Sequence, residues 1–362
     1  MIDPWHTARK MIETMSTCFR TFRYFIGLLI AFSVLSTLLV QTSAAITLKI
    51  ATLTPDGSEW MRLIREGAAE IAQKTDGRVE FKFYPGGIMG DDKAVMRKIR
   101  IGQLQGGVVT AGTLTGAFSD LQAYNLPILF DSLEEVDYVR SHMDSIIMEG
   151  IRAGGFVTFG LAEGGFAYLM SKEPIVSTAD LRKHKIWIPT DDPISLETAA
   201  VFGLKPIPLA VTEVRTALQT GLINTVTTSP IGAIALQWHT QVNYIADTPL
   251  IYLYAVFAVE RRAFERLTAE DQTVVADVMQ NVWAQIDRQN RRDNIQAWNA
   301  LQNQGIRLVK PEPAQQKEWK QIAAEVRDRM IESGQISRDM MTQLQNHLRD
   351  FRAKNTASVK KN

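Results

Sequence analysis

From Thr268 to Gly305 the chain carries one helical pattern without a break. Val275, Val278, Val282, Ile286, Trp298 and Leu301 recur at helical spacing, Thr268-Ala269-Glu270-Asp271 makes a capping-box-like start, and Gly305 ends the run. A helix of roughly 35 residues is about 50 Å long at 1.5 Å per residue, longer than one ordinary lobe. It is expected to brace two lobes, for which 362 residues suffice. Its apolar stripe reads as core rather than a cofactor box, and bracing accounts for it without a dimer.

Ahead of that helix the pattern is α/β. Thr47–Thr54 alternates like a strand and stops at Pro55-Asp56-Gly57; Ser58–Lys74 follows with Trp60, Leu63, Ile64, Ala68, Ile71 and Ala72 at helical spacing. Arg78–Tyr84 alternates Val79, Phe81 and Phe83 and ends at Pro85-Gly86-Gly87, after which Asp91 caps a helix carrying Val95, Met96 and Ile99. Two such units in succession predict a parallel sheet with right-handed crossovers. Gly106–Thr113 is a third short strand, Leu126–Phe130 an apolar elbow, Ser132–His142 a polar helix and Phe156–Leu161 a further strand. Ala162–Phe166 reads as a first crossing between lobes and Ile251–Val259 as the return crossing. Helices over Pro313–Ser333 and Ser337–Ala353 and a polar tail ending Val359-Lys360-Lys361-Asn362 complete the chain. The division expected is 1–45 export signal, 46–162 first part of lobe I, 163–250 first part of lobe II, 251–304 return strand and spanning helix, and 305–362 C-terminal helices and tail.

The N-terminus points to export. Tyr24–Val40 is an uncharged apolar run behind Arg20 and Arg23 and leads into Gln41-Thr42-Ser43-Ala44-Ala45, the shape of a secretory signal cleaved after Ala44 or Ala45. The alternative is a retained membrane anchor, since seventeen apolar residues approach spanning length. The stretch before Arg20 is long for such a signal, so Met11 or Met15 also suits as the start. Cys18 is the only cysteine and precedes the run, so the mature chain has neither thiol nor disulfide and must be held by its core, as suits a bacterial periplasmic protein. A net charge of +1 with well-mixed charges leaves no basic footprint for nucleic acid.

Catalytic patterns are missing. Past the signal there is no cysteine and no GxSxG elbow, and the histidines are His142, His184, His239 and His347, none with a metal-type partner at i+3 or i+4. The expectation is a binding protein and not an enzyme, with no cofactor and no resident metal.

Five ordered stretches carry a resemblance: FKFYPGGIMGDDKAVMRKIRIGQL (Phe81–Leu104), LPILFDSLEEVDYV (Leu126–Val139), EGGFAYLMSKEPI (Glu163–Ile175), STADLRKHKIWIP (Ser177–Pro189) and PIPLAVTEVRTALQTGLINTV (Pro206–Val226). From about Leu48 to Gly305 the chain resembles the DctP-type solute-binding proteins of tripartite ATP-independent periplasmic (TRAP) transporters. That resemblance implies a two-lobed periplasmic-binding-protein fold of α/β class, with hinge-crossing strands and a long helix spanning both lobes. It also implies capture of a small solute by hinge closure and delivery to small and large membrane permease subunits. A sensor subunit serving a membrane receptor is a further reading.

The departures from the family pattern bear on the ligand. The position that usually carries a carboxylate-pairing arginine before the proline is Trp187, in Ile186-Trp187-Ile188-Pro189, and the second arginine position, after Gly-Phe, is Ala167. The run Asn224–Ser229 replaces an acidic-amide segment. A buried carboxylate without a partner is costly, so these losses favour an apolar, aromatic or uncharged ligand. Trp187 would supply a flat wall and one donor, beside Phe166, Tyr168 and Trp238. The competing reading packs Trp187 into the lobe core and assigns a carboxylate to a relocated cation such as Arg215 or Lys185. Other candidates are Glu163, binding ligand or pairing across the hinge; Thr227 and Thr228 at the cleft; Thr54 and Trp60 at the first strand's end, with Trp60 reading first as core; and Thr110 with Thr113 at the third. Asp91 and Asp92 read first as helix caps, and His239 as a structural histidine.

Overall fold

The computed structural model describes residues 45–190 and 192–359. The expected signal run Tyr24–Val40, Cys18 and the last tail residues 360–362 lie outside them. Strand β1 (Ile46–Thr52) alternates as its sequence requires, with Leu48 and Ile50 fully buried and Lys49 exposed between them. Helix α1 (Glu59–Lys74) begins where the Ser58 hydroxyl accepts the Met61 N–H, and its Leu63, Ile64, Ala68 and Ile71 share one core with those strand residues. Strand β2 (Val79–Tyr84) pairs parallel with β1 on one side, and after α2 (Asp92–Arg100), β3 (Gly106–Thr110) pairs parallel with it on the other. The parallel sheet expected from two successive βα units is therefore present.

Short 3₁₀ turns at Ala111–Leu114 and Ser119–Asn125 lead to α3 (Leu133–Ala153), capped by Ser132. The helix continues past its expected end at His142, because Met143, Ile147 and Ile151 prolong the buried face that Val136 and Val139 begin. Strand β4 (Phe156–Ser171) is a single strand of 16 residues where a strand and a separate crossing were expected. Then follow α4 (Thr178–Leu181), β5 (Trp187–Pro189), α5 (Pro193–Val201), β6 (Ile207–Leu209), α6 (Val211–Thr220), β7 (Thr225–Thr228), α7 (Pro230–Ala235) and β8 (Tyr244–Ala246). Strand β9 (Ile251–Glu260) and α8 (Arg261–Phe264) bring the chain back to α9 (Ala269–Asn303), followed by β10 (Arg307–Val309), α10 (Pro313–Glu332) and α11 (Arg338–Val359).

One sheet runs β10-β8-β4-β9-β3-β1-β2, with β7 also paired to β4, and a small parallel pair is formed by β5 and β6. The long strand β4 belongs to both halves of this sheet. It pairs antiparallel with β9 from Phe156↔Glu260 to Ala167↔Ile251, and its last residues pair with β7 and β8. Register shifts at Thr158/Leu161 and Glu163/Gly165 mark β-bulges in between, where a strand bends most easily.

The 35-residue helix α9 spans as its length predicts. Thr268 caps it by accepting the Asp271 N–H; Val275, Val278, Met279, Val282, Trp283 and Ile286 lie in the core with β1 and α1, and Leu301 lies in the core of Val214, Leu218, Val226 and Trp238. At about 1.5–3 kcal/mol per fully buried large apolar side chain, this stripe fastens the helix to both cores. A second brace did not stand out in the periodicity. In α10, Trp319 sits with Ile175, Leu181 and Phe202, donating its indole N–H to Thr178 at 3.0 Å, while Val326 and Met330 join the core of α3 and α11.

Candidate ligand-binding site

Because β1, β2 and β3 are parallel, their C-terminal ends open on the same side, into the loops at 53–58, 85–90 and 111–114, where ligands of open α/β sheets sit. The loops are tied to one another: the Gly86 and Gly87 N–H groups donate to the carbonyls of Thr54 and Thr52 at 2.9 and 3.0 Å. Thr54 is half-buried and takes the Thr52 hydroxyl proton at 3.0 Å. Thr110 is exposed, and its hydroxyl and N–H both donate to Asp92 Oδ2, at 2.9 and 3.0 Å; the Thr113 hydroxyl adds a third bond at 2.9 Å. Asp91 caps α2 as expected, accepting the Ala94 N–H at 2.8 Å, but Asp92 does not; it gathers the end of β3 instead. Burial pushes the Asp92 carboxyl above its ordinary range, against the pull of those three donors.

The starts of α5 and α6 face these loops. Asp192, just before α5, accepts from Gln122 Nε2 at 2.6 Å and from Ser195 Oγ at 2.5 Å. Thr212, in the first turn of α6, reaches Gly87, whose φ is +75°; a Cβ there would lie 3.1 Å from Thr212 Cγ2 and 3.2 Å from Leu53 Cδ2. The left-handed φ and the close approach both favour glycine there. Two contacts, Gln122 with Asp192 and Gly87 with Thr212, thus join the expected lobe I segment to the expected lobe II segment.

The remaining residues expected at the site are dispersed. Trp187 is 6% exposed, packs edge-on against Trp238 and donates its indole N–H to Leu209 O at 3.0 Å. Its wall is turned into the core and its one donor is used, because β5 presents it to Val214, Leu218 and Val226. Trp238 is 2% exposed in the same core, so both rings expected as a ligand wall lie among the apolar side chains of this cluster. Tyr168 packs on Trp298, ring centroids 4.6 Å apart; desolvation, with a smaller contribution from the Asp247 charge, pushes its phenol up to about 12. Phe166 is half-buried against Tyr252. On β7, Thr227 is half-buried and Thr228 buried, the latter opposite Tyr168. Ala167, at the other arginine position, is fully buried. Lys185 donates to Gly221 O at 3.0 Å, Arg215 is exposed on α6, and His239 holds Ala233 O through Nδ1 at 3.0 Å.

Glu163 pairs across the hinge. It is 1% exposed and both its oxygens take Arg291 of α9, while the Tyr252 hydroxyl donates at 3.3 Å. Arg291 continues to Asp137 of α3 through a two-pronged pair at 2.7 and 2.8 Å. Beside it Arg140 donates to Asp144, Asp287, the Tyr252 hydroxyl and Leu161 O.

The cleft groups that the sequence reading did not single out are Gln122 and Asp192. The available signal was Asp192-Pro193, a polar residue before a first-turn proline, which marks a helix start. The assembled loops present hydroxyls, an amide and two carboxylates, Asp92 and Asp192, with no guanidinium at either expected position.

Comparison with known proteins identifies the family. Residues 50–333 match the family model described as bacterial extracellular solute-binding protein, family 7, the DctP family. The chain belongs to this family of TRAP periplasmic solute-binding proteins. It is 21% identical over 278 residues to the sialic acid-binding periplasmic protein SiaP of Vibrio cholerae, covering 75% of this chain and 85% of SiaP. It is 26% identical over 212 residues to the uncharacterized protein YiiZ of Salmonella typhimurium, covering 57% of this chain and 64% of YiiZ, just under two thirds of that relative's length. Among solved structures, a TRAP periplasmic solute-binding protein of Pseudomonas putida F1 with bound D-glucuronate superposes with a TM-score of 0.75 at 20% identity, covering 83% of this chain and 96% of that one. DctP7 of Bordetella pertussis, binding pyroglutamic acid, gives 0.76 at 22% identity over 84% and 100%. The two-lobed α/β fold is thereby shared.

Proposed function

We propose that this chain is the solute receptor of a TRAP transporter, which captures a small molecule in the periplasm between two lobes and hands it to the small and large membrane subunits. Its work is binding, not turnover. Solute contacting both the strand-end loops and the starts of α5 and α6 shifts the balance toward the closed form. The observation that carries the reading is the family match together with the contacts of Gln122 to Asp192 and Gly87 to Thr212, which lie where such a solute would be enclosed.

The solute is uncharged and polar. Ala167 and Trp187 stand where the family pattern has arginines, and the indole N–H is already bonded to Leu209. An aromatic wall does not follow from rings turned into the core, and the carboxylates bound by the structural neighbours do not support an apolar ligand, so of the expected apolar, aromatic or uncharged solutes the uncharged one, rich in hydroxyl or amide groups, is kept. A second reading has its own support: the structural neighbours bind the carboxylates D-glucuronate and pyroglutamic acid. Arg215, exposed on the helix whose first turn reaches Gly87, is the cation that reading needs.

A thermal-shift screen of the chain from Ile46 decides between them, with neutral sugars and lactams set against glucuronate, galacturonate, pyroglutamate and orotate. A solute at 100 times its dissociation constant adds about 2.7 kcal/mol. Stabilisation by neutral solutes alone supports the first reading. Stabilisation by uronates that Arg215→Ala abolishes replaces it with the second.

A further inference from the structure

The long helix turns one polar face to the crossing strand. Asp287, Asn290, Arg291 and Asn294 follow at i, i+3, i+4 and i+7 and so share that face. They bond two consecutive residues of β4, Glu163 and Gly164. Asp287 accepts the Glu163 N–H at 2.6 Å, Asn290 donates to Glu163 O, Arg291 takes the Glu163 carboxylate, and Asn294 donates to Gly164 O at 3.1 Å. The strand comes so close that a Cβ on Gly165, at φ +84°, would lie 2.5 Å from Asn294 Nδ2.

The two asparagines differ in what their other amide atom holds. Asn290 Oδ1 accepts the indole N–H of Trp60 on α1, and Trp60 packs edge-on against Trp283, about two turns earlier on the same long helix. Asn290 is 2% exposed, so this attachment is sealed. Asn294 Oδ1 accepts the N–H of Ile231 at 3.2 Å, in the first turn of α7. That N–H is one of the unpaired donors of a helix start, and Asn294 and Ile231 are both only half-buried. Water can replace the bond at little cost when the second lobe moves; it cannot reach the bonds of Asn290.

We propose that Asn294 is a positioning residue for lobe closure. Its amide fastens the second lobe to the long helix through Ile231 in the closed arrangement and releases it in the open one, while Asn290 keeps the first lobe attached throughout. The assignment rests on the hinge closure argued above.

Spin labels on introduced cysteines test it, since Cys18 is the only native cysteine and a chain from Ile46 has none. Ile101→Cys in the first lobe and Leu222→Cys in the second are 75% and 50% exposed. Pulsed dipolar measurements of the distance between them, without and with each stabilising solute of the screen, give the ratio of closed to open forms. Asn294→Ala should lower that ratio about fivefold, the factor matching one hydrogen bond of ordinary strength. Asn294→Asp, which retains the acceptor for Ile231, should restore most of it. Asn290→Ala should lower the melting temperature and leave the ratio unchanged. An unchanged ratio in Asn294→Ala, or an equal shift in Asn290→Ala, overturns the assignment while leaving closure intact. A single distance in the wild type, indifferent to every solute that stabilises it, overturns both.

Discussion

Trp187 meets Trp238 edge to face, ring centroids 5.1 Å apart and planes at 77°, with its indole N–H on Leu209 O at 3.0 Å. This position is where the family pattern has an arginine, and here it has become part of a hydrophobic core. An arginine returned to it would be placed among the apolar side chains of Val214, Leu218 and Val226. Trp187→Arg should therefore cost at least about 3 kcal/mol, the scale of an unpaired buried charge, without creating uronate binding. Trp187→Phe keeps most of the packing and loses one hydrogen bond, at about 1–2 kcal/mol. Urea unfolding of both variants checks the order; a Trp187→Arg protein as stable as wild type, stabilised further by glucuronate, would return this residue to the ligand site.

The hinge pairs should be unequal. Glu163 is sealed between Arg291 and Tyr252, whereas Asp137, on the far side of the same guanidinium, has a side chain 54% exposed. Glu163→Gln should cost about 1–3 kcal/mol, less than the 3–5 typical of a fully buried pair because Arg291 is 30% exposed and keeps Asp137. Asp137→Asn should cost under about 1 kcal/mol. Raising salt should narrow the effect of Asp137→Asn and leave that of Glu163→Gln nearly intact. Equal losses from the two substitutions would refute this account.

How far the sequence could be read depended on how local the determinant was. The parallel βα units and the long helix rest on periodicity and caps within one segment, and α9 begins after Thr268 as expected. The continuity of β4 was hidden because two bulges break the alternation within its pairing with β9, ahead of the residues that pair with β7 and β8. The crevice was harder still. Gln122 and Asp192 lie 70 positions apart and neither belongs to a periodic pattern. The asparagines did leave a trace: Asn290 and Asn294 interrupt the stripe between Ile286 and Leu301, and polar residues on a buried helical face imply a polar partner.

His184 makes stability depend on pH. Its Nδ1 lies 2.7 Å from Thr225 Oγ1, and desolvation holds its pKa below the ordinary value of about 6.5, against the weaker pull of Glu173 and Asp180. A base whose folded pKa is depressed binds its proton more readily in the unfolded chain. The penalty is absent well above pH 6.5, grows as pH falls through that value, and is complete below the lowered folded pKa. His184→Gln should remove it. Melting temperatures at pH 7.5 and 5.5 should fall further in wild type than in the variant, by about 2 °C for each kcal/mol involved; an identical fall in both would assign the acid sensitivity to other groups.

Asp192 should separate affinity from stability. Its carboxylate takes Gln122 from the opposite segment and Ser195 from its own helix, and Asp192 itself is half-buried at the rim of the crevice. Removing it leaves the 4%-exposed Gln122 amide without that acceptor, at about 1–3 kcal/mol where water cannot substitute. That cost falls on the arrangement in which the two segments touch, and an open form would escape it. Asp192→Ala should then weaken the best solute of the thermal screen about tenfold or more, while the melting temperature measured without solute moves by less than about 2 °C. Asp192→Asn keeps an acceptor for Gln122 and should recover most of the affinity. If Asp192→Asn instead loses as much as Asp192→Ala, the charge itself contacts the solute, and the ligand must carry a donor group aimed at this carboxylate.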